Sequence, residues 1–295
     1  MSNLVPLTSR SGAAIAIAST NQQLIDLWLH EKSENTRAAY QRDAGHFLAF
    51  IEGKPLDRVT LNDMQAFKDG LLNQRYKAST VKRRLAAAKS LLKYGFRIGL
   101  LPVDVGAAIS LPKLKNELAQ RILPESQMLE MIHTFKGSVR DRVMLRVLYA
   151  TGGRASEIAG LTWEDCQSTD DGIGKLTLFG KGDKTRHVLV SVETWELLQG
   201  LRGNAVDSDP VFRSRKGKHL QRSQIWRVVK RAAEQAGIDK PVSPHWFRHA
   251  HASHALKRGT PINLVQATLG HASVATTGRY THACPEDSSG LHLPI

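Results

Sequence analysis

The stretch from His245 to Tyr280 decides how this chain is read. It opens HWFRH (245–249), continues to LGH (269–271) and closes TTGRY (276–280). Upstream, TGGRASEIAGL (151–161) and GKGDKTR (180–186) add an arginine and a lysine. In chain order the set is Arg154, Lys181, His245, Arg248, His271 and Tyr280. These are the groups that metal-free cleavage of a phosphodiester calls for. Guanidiniums neutralise phosphate oxygens, a lysine or histidine moves protons, and a phenol attacks. Each residue alone says little, because an arginine after two glycines is usually a surface residue and a tyrosine near a chain end usually packs. Their joint order and spacing carry the signal.

The surrounding composition agrees. At 295 residues the chain suffices for two domains, each burying its own core. A formal charge of +14 and a pI near 10.0 point to an acidic polymer, with nucleic acid and anionic membrane as candidates. The sequence has no apolar run long enough to span a bilayer. The string GAAIAIAS (12–19) imitates a signal peptide but is short and weakly hydrophobic, so residues 1–19 are expected to be a mobile arm. Cys166 and Cys284 lie far apart without a CxxC pair, which fits a reduced, cytoplasmic protein with ordinary thiols.

Periodicity places helices at 22–30, 35–51, 61–72 and 79–98 in the first half. Thr60 is the expected N-cap of the third. Leu24, Leu27 and Trp28 should share the buried face of the first. Val81, Leu85, Ala88, Leu92 and Phe96 should form that of the fourth. Residues 110–124, with two prolines and mixed charge, mark a linker over 110–123. Pro124 should open a helix to Phe135, followed by one at 139–150 that Gly152 and Gly153 break. Short strands at 174–179 and 187–190 form a hairpin, and helices follow at 192–202, 221–236, 245–257, 262–269 and 273–282. The expected domains are therefore 20–109, helical and DNA-binding, and 124–284, catalytic, with a tail at 285–295.

Two basic stretches lack any acid. From Gly70 to Val103 there are eight Lys or Arg, with Lys82, Lys89, Lys93 and Arg97 falling along one helix side beside Arg83. A second runs from Arg213 to Arg231 and includes Arg222 and Arg227. A solvated face normally mixes signs, because like charges at i, i+4 repel. One sign throughout points to a phosphate backbone. The run HWFRHAHASH invites a metal reading, since His245 and His249 stand at i, i+4. It lacks HExxH, a cysteine pair and clustered carboxylates, so no metal is expected there, and His249 is expected to pack or hydrogen-bond beneath the site.

With these strings in hand, the chain resembles the tyrosine recombinases, or phage integrase family, and its Xer-like branch in size and layout. The family pattern is an Arg in a TGxRxSEL-type string, a Lys in a β-hairpin turn, HxxR, LGH, and a Tyr nine residues after the last His. TGGRASEI, GKGDK, HWFR, LGH and Tyr280 match it over residues 20–283. Gly153, where a larger apolar residue is usual, and Trp246-Phe247 within HxxR are small departures.

The resemblance implies a mainly α fold with a small β-hairpin, built as a two-domain C-shaped clamp on double-stranded DNA. Tyr280 would form a 3′-phosphotyrosine, and Arg154 and Arg248 would hold the phosphate. Lys181 would protonate the leaving 5′ oxygen, with Lys184 as a rival on the same turn. His245 would accept the tyrosine proton, and His271 would position phosphate. Glu157, three residues after Arg154, would brace a site side chain, or else form an ordinary surface ion pair. Neither cofactor nor membrane enters. Strand exchange would proceed through a Holliday junction in a homo-tetramer, or in a hetero-tetramer with a second recombinase, the tail docking on a neighbour. Chromosome or plasmid dimer resolution is the favoured role. The alternatives are a phage or transposon integrase, type IB topoisomerase-like relaxation, and a noncatalytic DNA-binding protein.

Overall fold

In the computed structural model, residues 21–30, 32–114, 118–180 and 184–281 are described. The expected arm and tail lie outside them, as does Lys181. The chain divides into two compact units, Met1–Lys115 and Asn116–Ile295.

The first unit is helical: α1 (Asn21–His30), α2 (Glu34–Phe50), α3 (Leu61–Asn73) and α4 (Ala78–Arg97). Thr60 caps α3 as its sequence implies. Its hydroxyl accepts from the Asp63 amide, and the Asp63 carboxylate accepts from the Thr60 amide at 2.7 Å, so two otherwise unpaired helix-end donors are satisfied. The helices close on Trp28, Phe47, Met64, Phe67, Leu85 and Leu92. Burying side chains of this size stabilises the unit by roughly 1.5–3 kcal/mol each before chain entropy is counted.

Two face assignments shift. Leu27 is 37% exposed, and Ile25 and Leu29 line the α1 seam with Leu24 and Trp28. Phe96 is 47% exposed, while Leu91 and Gly95 turn inward. The reason is steric. A Cβ at Gly95 would come within 2.8 Å of Leu101, so only a residue without a side chain lets α4 close there, and its neighbour is turned out.

The second unit surrounds a buried helix. Its elements are α5 (Glu125–Thr134), α6 (Val139–Thr151), α7 (Ala155–Gly160), β1 (Cys166–Ser168), β2 (Gly174–Phe179), β3 (Thr185–Val190), α8 (Val192–Gln199), α9 (Arg222–Gln235), α10 (Pro244–Lys257), α11 (Ile262–Leu269) and α12 (Val274–Thr281). Along α6, Val143, Met144, Leu145, Val147 and Leu148 are all buried, so this helix is apolar on more than one side and packs against α5, α7, α8, α10 and β3. It ends at Gly152, whose φ of 57° is the left-handed conformation that terminates helices.

The sheet is antiparallel in the order β1-β2-β3, with Leu176 opposite Val188 and Phe179 opposite Thr185. The three-residue β1 was not anticipated, being too short to show alternation. Strand β3 begins at Thr185, earlier than the hydrophobic run at 187–190 suggests. That difference brings Arg186 into the sheet, on the face it shares with Val188 and Val190.

Candidate active site

Five elements, α7, β3, α10, α11 and α12, converge in the second unit. Arg154 stands just before α7, with its side chain 40% exposed. Glu157, in the first turn of α7, accepts the Arg154 amide at 2.8 Å and Arg154 Nη1 at 2.6 Å. The same buried carboxylate accepts Arg186 Nη1 at 3.1 Å and Nη2 at 2.7 Å. Burial would raise the Glu157 pKa, but the hydrogen bonds from Arg186 and from the Arg154 amide and guanidinium outweigh it and hold the pKa below the ordinary value. Arg186 spends its Nε on the Thr268 carbonyl at 2.7 Å, tying β3 to α11.

Arg248 lies in α10 and is 2% exposed. Its Nη1 donates to the Gly152 carbonyl at 2.9 Å and its Nη2 to the Leu269 carbonyl at 2.6 Å. Both carbonyls lie at helix C-termini, where acceptors remain unpaired and a cation is favoured. Desolvation, with Arg154 and Arg186 nearby, lowers the Arg248 pKa to about 10, which leaves it cationic at neutral pH.

Three imidazoles and the phenol complete the cluster. His245 is exposed in the first turn of α10, its ring edge-on to that of His249 at 4.3 Å. His249 is buried, and its Nδ1 lies 2.8 Å from the Tyr280 hydroxyl. His271 follows the left-handed Gly270 and pairs through Nδ1 with the Thr277 hydroxyl at 2.8 Å. Its ring lies parallel to that of Tyr280, with centroids 6.3 Å apart.

Desolvation and the surrounding cations hold all three imidazoles below their ordinary pKa: His249 falls to about 3, His271 to about 4, and His245 moves the same way. Tyr280 is 4% exposed and packs with Leu118, Ala252, Val265 and Leu269. Desolvation raises its pKa while Arg248 and Arg279 oppose the rise. At neutral pH these imidazoles are therefore neutral and the phenol keeps its proton.

A cavity of about 350 Å³ is lined by Arg154, Gly180, Lys184, Arg186, Gly270 and His271. Arg154, His245, Arg248, His271 and Tyr280 thus belong to one cluster, with Lys184 on its rim. Arg186 was missed from sequence. The available signal was a cation at an inward position of a strand whose next inward residues are Val188 and Val190.

The basic residues divide. On α4, Lys93 and Arg97 are exposed and Lys82 is half-buried. Arg83 pairs with the buried Asp43. Lys89 donates to the carbonyls of Ala107 and Ile109 and so secures the following loop. On α9, Arg222 and Arg227 are exposed.

Comparison with known proteins follows the same division. The Phage integrase family profile matches residues 121–286, and that of the phage integrase N-terminal SAM-like domain matches residues 21–99. The tyrosine recombinase XerD of Haemophilus influenzae is 35% identical over 292 residues, covering 92% of this chain and 97% of the relative. Among solved structures, the XerH site-specific recombinase bound to palindromic difH substrate, a post-cleavage complex, superposes with a TM-score of 0.73 at 21% identity, covering 95% of this chain and 86% of that one. The lambda integrase tetramer bound to a Holliday junction gives 0.72 at 17% identity, covering 94% and 81%. At these identities the structural likeness is one of fold.

Proposed function

This chain belongs to the phage integrase family of tyrosine recombinases, and we propose that it cuts and rejoins double-stranded DNA at specific sites through a 3′-phosphotyrosine on Tyr280. The observation that carries this reading is the convergence of Arg154, Arg248, His245 and His271 on one buried tyrosine. Those residues come from α10, α12 and the loops flanking α7 and α11, and only the tertiary fold brings them together.

Each group has a defined task. The Tyr280 oxygen attacks phosphorus, and the bond to the 5′ oxygen breaks. Arg154 and Arg248 take the charge that grows on the nonbridging oxygens. Arg154 offers the exposed guanidinium, and Glu157 and Arg186 orient it. Arg248 is fixed by two carbonyls, with further N–H groups for a phosphate. Lys181 donates the proton that the 5′ oxygen takes up, with Lys184 the alternative on the same turn. The phenol's proton passes to an imidazole. The family likeness favours His245, and His249 is the one that holds the hydroxyl here. The phosphotyrosine keeps the energy of the broken bond, so religation needs no nucleotide.

The similarity to XerD favours resolution of chromosome or plasmid dimers, by a tetramer of this chain alone or with a second recombinase. Covalent trapping tests the core of the reading. Purified protein is incubated with nicked DNA from its source and quenched with SDS. A protein–DNA adduct that disappears in Tyr280→Phe is expected. One recurrent sequence at the attached ends supports dimer resolution, whereas scattered ends speak for relaxation. Intact DNA binding with no adduct would overturn the nucleophile assignment.

A further inference from the structure

Helix α9 carries an exposed aromatic that the proposed chemistry does not use. Its core side is Ile225, Val228, Val229, Ala232 and Ala233. Its outer side presents Arg222, Ser223, Trp226, Arg227 and Lys230, one face at helical spacing. Trp226 is 46% exposed, whereas Trp28, Trp163, Trp195 and Trp246 are all at most 8% exposed. An indole in the middle of a polar arc leaves apolar area in water at about 25 cal/mol per Å². The Lys230 ammonium lies 5.8 Å from its centroid, and Arg222 and Arg227 flank it. A cationic face with an aromatic at its centre complements a polyanion that also offers apolar contacts.

A second observation connects this face to the site. A groove of about 500 Å³ is lined by Ser156, Gly160, Arg222 and Ser223, and joins the start of α9 to α7. Arg154, the proposed phosphate ligand, stands at the head of α7. A duplex whose phosphate reaches Arg154 can therefore continue along this groove onto α9. Trp226 lies one turn beyond Arg222, about 6 Å along the axis. The major groove admits a helix, and apolar side chains there meet the C5-methyl of thymine.

We propose that Trp226 reads DNA sequence by packing its indole on thymine methyl groups in the major groove. The proposal rests on the recombinase reading, and its test separates the two. Iodide quenching of tryptophan fluorescence is measured with and without a saturating mixed-sequence duplex. The accessible component should vanish in Trp226→Phe and become protected when the wild type binds DNA. Preferred sites are then selected from random duplexes by the wild type and by Trp226→Ala. The variant should lose a thymine preference worth about fivefold or more in affinity, with the rest of its consensus intact. Replacing that thymine by deoxyuracil, which removes only the methyl, should weaken the wild type by the same factor and leave the variant unchanged. An indole still open to iodide in the saturated complex, or an unchanged consensus in Trp226→Ala, overturns this proposal alone. Failure to bind DNA at all overturns the recombinase reading with it.

Discussion

The hydroxyl of Tyr280 lies 2.8 Å from Nδ1 of His249, with both side chains buried. Burial pushes their pKa values apart, the phenol upward and the imidazole down to about 3. The resting pair is therefore a neutral phenol hydrogen-bonded to a neutral imidazole, one helical turn from the exposed His245. This arrangement shelters the oxygen proposed to attack, and it makes the pair structural as well as chemical.

Tyr280→Phe should accordingly have two effects. The SDS-stable DNA adduct should be lost while DNA affinity stays within a few-fold of the wild type. Urea denaturation should show a loss of about 1–3 kcal/mol, because His249 Nδ1 is left buried without its hydrogen-bond partner. An unchanged adduct yield would exclude Tyr280 as the nucleophile.

Glu157 faces two guanidiniums, so Glu157→Gln removes the charge that opposes both. Cleavage should slow by about 10- to 100-fold through misplacement of Arg154, with DNA affinity little changed. Since the folded-state pKa is depressed, the carboxylate's stabilisation is present above its ordinary pKa of 4.5 and is lost as pH falls through the lower folded value. The variant should flatten that acid limb of stability against pH. Arg186→Lys keeps the charge but not the fork that reaches Glu157 and Thr268, and its cleavage rate should fall between the wild type and Glu157→Gln.

Arg154 and Arg248 should separate when each is replaced by alanine. Both variants should cleave at least about 100-fold more slowly, the scale of a lost oxyanion donor. Only Arg248→Ala should also lower the melting temperature, because it strands the carbonyls of Gly152 and Leu269 in the interior. Single-turnover cleavage and thermal unfolding, measured side by side, check this.

His245, His249, His251, His254 and His271 all have folded pKa values below their ordinary 6.5. Below that pH the unfolded chain binds protons that the folded unit refuses, so stability falls with pH. The loss should begin near pH 6.5 and continue toward about 4 for His271 and about 3 for His249. His249→Gln should reduce the slope of urea midpoint against pH in this window. An unchanged slope would show that His249 is not protected from protonation.

Lys181→Ala should cleave poorly on normal DNA and recover on a 5′-bridging phosphorothiolate, whose leaving group needs no proton. Rescue confined to Lys184→Ala would move the general acid to the lysine that lines the cavity beside Arg154.

Most helices were legible because their apolar periodicity and caps are local: Thr60 before α3, Pro124 before α5, and the double glycine after α6. The candidate residues Arg154, His245, Arg248, His271 and Tyr280 were legible because their types and spacing recur together. Faces were read less well where close packing intervened, as at Gly95 and Phe96. Strand β1 was missed because three residues are too few for alternation to show.

By itself, then, the sequence determined the helical elements, the basic balance and the chemistry-bearing side chains, since all of these are properties of composition and local spacing. Only the tertiary structure decided which groups meet. It set Arg186 against Glu157, His249 against the Tyr280 hydroxyl, and Arg248 against two helix ends. Those partners lie between 21 and 96 residues apart in the chain, and a hydrogen bond at that separation exists only once folding has packed the elements that carry it.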